Sequence, residues 1–137
     1  MYLLEVKNLK KVYTTRFGGN AVKALNNVSF TVDEGEMIAI MGESGSGKTT
    51  LLNMIAALDK PTGGEVYLNG KNITVIGDKE ISSFRRENLG FVFQDFNLLD
   101  TFSIQDNIFL PLVLAGTPYE EMNKRLTSVA KRLRITD

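Results

Sequence analysis

Met37-Ile38-Ala39-Ile40-Met41-Gly42-Glu43-Ser44-Gly45-Ser46-Gly47-Lys48-Thr49-Thr50-Leu51-Leu52 is the stretch on which the reading of this chain turns. Its first five residues are a short, uninterrupted apolar run, the pattern of a strand buried on both faces of a parallel sheet. Gly42 to Thr49 follow at once and match G-x-x-x-x-G-K-[ST]; Leu51, Leu52, Met54, Ile55, Ala56 and Ala57 then supply a helix-forming run. Strand, glycine loop and helix in that order are the context a phosphate-binding loop needs. The glycines let the backbone curl with its N–H groups turned inward on a polyphosphate. Lys48 would then reach the β- and γ-phosphates, the Thr49 hydroxyl would sit on Mg²⁺, and the positive end of the helix would add to the field. The competing reading is a glycine-rich strand–helix turn that holds no ligand; correct flanks on both sides weigh against it.

A chain of 137 residues is one ordinary domain with enough length for a real core. Hydrophobic residues make up 43% and charged residues 23%, which separates it from disordered chains. The 16 basic and 16 acidic residues cancel, so no global field draws the chain to nucleic acid or to an anionic membrane. Cysteine is absent, which removes disulfides and thiolate metal sites and fits a reducing compartment. Histidine is absent too, so any step that needs imidazole must be served from elsewhere. The longest apolar run, Ile108 to Ala115, is broken by Pro111 and is too short to span a bilayer, and Glu5 and Lys7 interrupt the only apolar start. A soluble chain is expected, with room for a membrane partner.

From the N-terminus, Leu4 and Val6, then Leu9 and Val12 after a break, predict a half-exposed strand ending near Tyr13. Thr14 to Asn20 reads as a loop, and Val28, Phe30 and Val32 alternate with polar residues as a strand with one wet face. After the loop, Asp59 to Gly64 stops the helix. Glu65 to Gly70 is a short strand closed by an Asn-Gly turn, and Asp78 is expected to cap a helix through Ile81 and Phe84. Leu89-Gly90-Phe91-Val92-Phe93 suits a second buried strand ending in Gln94. Thr101 or Ser103 can cap a helix from Ile104, with Pro111 kinking or restarting it; Pro118 to Arg134 is an amphipathic helix with Met122, Leu126, Val129 and Leu133 on its core face.

The phosphate loop alone leaves kinases, GTPases and several ATPase classes open. No Asp-x-x-Gly occurs, and Asn123-Lys124 lacks the Asp two places on that guanine recognition would want, so a GTPase is disfavoured. Tyr13, Val28-Ser29-Phe30 with Glu34-Gly35-Glu36, Gly42 to Thr50, Pro61 to Val66 and Phe91-Val92-Phe93-Gln94 together resemble the nucleotide-binding subunits of ATP-binding cassette (ABC) transporters. They stand in the family's order and cover the chain from about Leu3 to its end. The resemblance implies an α/β fold: a P-loop NTPase (RecA-like) core with an N-terminal antiparallel β-subdomain over about residues 1–98, and the start of a helical subdomain over about 99–137. It implies ATP and Mg²⁺ as ligands. Gly42, Ser44, Gly45, Ser46, Gly47, Lys48, Thr49 and Thr50 would cradle the phosphates, and Tyr13 would stack on adenine through its ring face, for which Phe would serve nearly as well. Lys48 and Gln94 would serve catalysis, and Thr49 and Gln94 would hold the metal. The implied partners are a membrane permease, at the inner face of the cell membrane, and a second nucleotide-binding subunit; nucleic acid is not among them. Within the family, Thr14 to Asn20 and Asn88 to Leu99 are similar to bacterial subunits for peptide-antibiotic export and resistance, lipoprotein release and macrolide export.

The family's serine-glycine-glycine signature, its Walker B strand ending in Asp-Glu and its histidine loop do not occur. Asp33-Glu34 is a decoy for the acidic pair, because it precedes the phosphate loop and follows an alternating strand. The chain therefore resembles the N-terminal part of a subunit. It is expected to bind ATP without turnover, to leave the strand Met37 to Met41 with a bare apolar edge, and to self-associate through it. A nucleotide-binding module that never hydrolyses ATP is the alternative.

Overall fold

The computed structural model describes residues 2–14 and 19–136, and the chain falls into two compact units, Met1–Gly90 and Phe91–Asp137. Of the loop expected over Thr14 to Asn20, residues 15–18 lie outside the described residues.

In the first unit, β1 (Leu4–Tyr13), β2 (Val22–Val32), β3 (Gly63–Leu68) and β4 (Lys71–Asn72) form one antiparallel sheet in the order β2-β1-β3-β4. The break in the alternation of β1 is a bulge. Asn8 turns to φ 48 and its N–H donates to Ser29 Oγ at 2.8 Å. The extra residue puts Val6 and Leu9, three positions apart, into the same core, where strict alternation would have sent them to opposite faces. At the far end of β3, Asn69 (φ 49) and Gly70 (φ 76) both take the left-handed conformation that a tight hairpin turn into β4 requires.

The core joins Val6, Leu9, Leu25 and Val66 of the sheet to Leu51 and Met54 of α1 (Lys48–Ile55), to Ile73 and Ile76, and to Phe84 of α2 (Asp78–Asn88). The helix α1 ends where Ala57 enters the left-handed region (φ 53). There the Leu58 N–H donates to Asn53 O at 2.9 Å and the Ala57 N–H to Met54 O at 3.1 Å, closing its last carbonyls. Asp78 is not the cap of α2. The cap is Gly77, and Asp78 is the first helical residue, where its charge suits the helix N-terminus while its carboxylate accepts from Lys60 Nζ at 2.7 Å.

Two expected buried strands are not formed. Residues 37–41 carry no ladder, and Met37 and Met41 are 97% and 88% exposed, with only Ile40 packed on the core. An apolar run becomes a buried strand only beside other strands, and among the described residues every strand pairs within the antiparallel sheet. Leu89 to Phe93 is likewise not a strand. Leu89 caps the C-terminus of α2, Val92 is 100% exposed, and the Phe91 and Phe93 rings stack on one another at 5.5 Å.

The second unit carries α3 (Ile104–Leu114) and α4 (Tyr119–Leu133). Ser103 caps α3, accepting from the Asp106 N–H at 3.1 Å and donating to the Asp106 carboxylate at 2.6 Å. The helix runs through Pro111 without restarting. Phe109 meets Tyr119 edge to face at 6.1 Å, and Phe109, Met122 and Ala130 are buried. The expected stripe on α4 is covered at Met122 and half-covered at Leu126, but Val129 and Leu133 are exposed. Among the described residues no helix is long and apolar enough to cross a membrane.

Candidate functional site

The loop before α1 is shaped by its glycines. Gly45 (φ 80) and Gly47 (φ 96) are left-handed, and the Ser46 N–H donates to Glu43 O at 3.2 Å across the bend. A Cβ on Gly47 would lie 2.4 Å from Ala24 O and 3.3 Å from Leu25 Cδ2, so the loop presses against β2 more closely than any side chain allows. The first N–H groups of α1 have no carbonyl one turn earlier and are open at the helix start, where the dipole favours an anion.

The Lys48 ammonium folds back over the same loop. Nζ donates to Gly42 O at 2.7 Å, to Glu43 O at 2.6 Å and to Ser46 Oγ at 3.3 Å. A cation held by carbonyls beside the start of a helix can donate to a phosphate oxygen with little rearrangement, exchanging one of its three contacts with neutral oxygens for one with an anionic oxygen. Thr49 is exposed on the first turn of α1, and Ser44 is exposed on the bend. Among the described residues no cluster of three or more acidic side chains offers a metal site.

Tyr13 ends β1 opposite Val22 of β2, and Ala24, two residues along β2, is the carbonyl that meets Gly47. The tyrosine is thus roughly 7 Å along the sheet and one strand spacing of about 4.8 Å across it from the loop contact. The sheet brings Tyr13 and the phosphate loop together. Gln94 belongs to the second unit, on an exposed stretch outside helix and strand, so the site assembled in the first unit comprises Tyr13 and residues 42–50.

Two side chains that sequence reasoning passed over stand around the tyrosine. Lys11 Nζ lies 4.9 Å from the Tyr13 ring centroid, and Asp59 Oδ2 accepts from the Tyr13 hydroxyl at 3.2 Å. Asp59 is also bonded to Lys11 (2.9 Å) and accepts from the Lys60 N–H at 2.7 Å. The Lys11 hydrogen bond holds the Asp59 carboxyl below the usual carboxylate range, with partial burial opposing and the Lys60 N–H, the Lys11 charge and the Tyr13 hydroxyl assisting. No spacing in the sequence could have linked them, because Lys11 and Asp59 are 48 positions apart. Asp33 and Glu36 close a turn, with the Asp33 N–H donating to Glu36 Oε2 at 2.8 Å.

The chain matches the ABC transporter family over residues 25–137. It is 49% identical over 135 residues to the ABC transporter ATP-binding protein YvcR of Bacillus subtilis, covering 98% of this chain and 52% of that one. To the bacitracin export ATP-binding protein BceA of Halalkalibacterium halodurans it is 40% identical over 135 residues, covering 98% of this chain and 53% of the relative. Among solved structures it is similar to a dimeric ATP-binding cassette in a post-hydrolysis state bound to ADP and Pi. That likeness has a TM-score of 0.84 at 41% identity and covers 93% of this chain and 56% of that one. The chain spans about half the length of these relatives. A left-handed glycine loop pressed on a sheet, a lysine folded across it and these likenesses agree: the chain belongs to the ABC transporter family, within its ATP-binding cassette.

Proposed function

We propose that residues 1–137 are the ATP-binding part of the ATPase subunit of a bacterial ABC exporter, in which ATP binding and hydrolysis drive transport through a membrane permease. The observation that carries this reading is the loop from Gly42 to Thr50, with Gly47 packed where no Cβ fits and Lys48 poised over its mouth. The phosphates of ATP would lie on its N–H groups and on Lys48, and adenine would stack on Tyr13. Mg²⁺ bound beside the phosphates would supply charge neutralisation there. Thr49 would hold it through its hydroxyl; a metal that keeps water and phosphate ligands does not need a carboxylate cage. Likeness to a bacitracin export protein supports antimicrobial-peptide export or resistance as the branch. The permease and a second nucleotide-binding subunit would be the partners, with the subunit on the cytoplasmic face of the membrane. Residues 1–90 and 91–137 would be the β-subdomain with phosphate-loop core and the start of the helical subdomain, close to the division expected at about residue 98.

By itself this chain binds ATP–Mg²⁺ and does not turn it over, because hydrolysis needs a positioned water and charge stabilisation on both sides of the γ-phosphate, and these residues supply one side. Calorimetric titration should show ATP–Mg²⁺ binding that weakens at least tenfold in Lys48→Ala, the loss of a charge-assisted contact of roughly 1.5–3 kcal/mol. A phosphate-release assay on the same protein should stay at background. Equal affinity in both proteins, or release that Lys48→Ala abolishes, would contradict the respective half of the proposal.

A further inference from the structure

Helix α1 has a working feature at each end. Its first turn carries the phosphate loop, and its last turn, closed by Leu58 and by the Asp59 N–H donating to Asn53 O at 3.3 Å, delivers Asp59 to the tip of β1. There Asp59 takes the Tyr13 hydroxyl at 3.2 Å with one oxygen and engages Lys11 Nζ with both, at 2.9 and 2.8 Å. Lys11 is the better-anchored partner: its side chain is only 12% exposed, and it also donates to Lys60 O at 2.7 Å. Its ammonium covers one face of the Tyr13 ring, while the tyrosine as a whole is 43% exposed. A tyrosine at a strand end would otherwise turn about two side-chain torsions. Here the hydroxyl is pinned and one face is occupied, which leaves the other face for a planar ligand.

We infer that Asp59, with Lys11 behind the ring, is a positioning residue for the nucleobase. It fixes Tyr13 before binding, so that adenine meets an oriented platform while the opposite end of the same helix takes the phosphates. The inference rests on the reading of Tyr13 as the base-stacking residue, and it revises the expectation that Phe would serve there nearly as well, since Phe keeps the ring and loses the tether. Freezing one side-chain rotor on binding corresponds to roughly threefold to tenfold in affinity.

The test is calorimetric titration of the whole chain and its Asp59→Ala, Tyr13→Phe and Tyr13→Ala variants with ATP–Mg²⁺ and with Mg²⁺–tripolyphosphate, which has no base. Asp59→Ala and Tyr13→Phe should each weaken ATP by about threefold to tenfold and leave tripolyphosphate unchanged, and the double variant should lose no more than Asp59→Ala alone. Equal losses for ATP and tripolyphosphate would make Asp59 a prop of the fold and overturn the inference. Unchanged ATP affinity in Asp59→Ala and Tyr13→Phe, with a loss in Tyr13→Ala, would overturn the clamp and leave the stacking reading standing. Unchanged affinity in Tyr13→Ala would overturn both. Should Asp59→Ala fail to fold, Tyr13→Phe decides alone.

Discussion

Replacing Gly47 by alanine perturbs the phosphate loop at its tightest point, and the structure sets the scale of the effect. Gly47 sits at φ 96, where a Cβ costs about 1–2 kcal/mol. The same Cβ would stand 2.4 Å from Ala24 O, a backbone atom locked in β2, so the loop would have to retreat by about an ångström; overpacking of that kind costs about 1–3 kcal/mol. The expected sum is about 2–5 kcal/mol, a large part of the stability of an ordinary domain, and a fall in melting temperature on the order of 10 °C or more. Gly45 and Gly42 calibrate the two contributions. Gly45 has φ 80 with nothing within 4 Å of a Cβ, so Gly45→Ala should cost the backbone strain alone. At Gly42 a Cβ would meet the Ser46 side chain, Oγ at 2.7 Å and Cβ at 3.4 Å, of which the close atom is the end of a side chain that can rotate, so Gly42→Ala should cost least. Urea and thermal melts of the three variants should rank Gly47→Ala worst, Gly45→Ala next and Gly42→Ala last. Gly47→Ala melting with the unaltered protein would refute the packing of the loop on β2.

The lowered pKa of Asp59 makes a pH prediction. Its native carboxyl binds fewer protons than the unfolded one, so its contribution is complete above the unfolded value of about 3.9 and fades as pH falls through the lower native value. The stability gap between the protein and Asp59→Asn should therefore be open at pH 7 and narrow below about pH 4; a gap that widens in acid would reverse the sign. Ser103→Ala should cost about 1 kcal/mol and reduce far-UV helicity on heating, since it frees the Asp106 N–H at the start of α3. Light scattering should find dimers or larger species at micromolar concentration, because Met37 and Met41 stand 97% and 88% exposed as apolar surface outside any strand, and Met37→Lys with Met41→Lys should suppress them. A monodisperse monomer before substitution would contradict that.

Local chemistry was the part of this fold that could be read in advance. The break in β1, the wet face of β2, the Asn69-Gly70 hairpin and the Ser103 cap each depend on neighbours within a few residues. The Gly42 to Thr50 loop was legible for the same reason, since its glycines, lysine and helix are contiguous. Residues 37–41 and 89–93 were misread as strands because an apolar run records what a segment can bury and not which strand will lie beside it. On α4 the stripe read from periodicity holds at Met122 and partly at Leu126 but fails at Val129 and Leu133, which are exposed, because coverage depends on what packs there and periodicity does not contain that. Asp59 was legible only as part of a helix stop. Its pairing with Lys11 and Tyr13 comes from the sheet, which carries β1 past the end of α1.

The central claim is that nucleotide phosphates lie on the backbone N–H groups between Gly42 and Thr50. Amide chemical-shift mapping with ¹⁵N-labelled protein tests it most directly, with ATP–Mg²⁺ and Mg²⁺–tripolyphosphate titrated in turn. The amides of Gly45, Gly47, Lys48 and Thr49 should move most, and alike, with both ligands, because both present the same oxygens to the start of α1. Loop amides that stay in place while residues elsewhere shift would contradict the account.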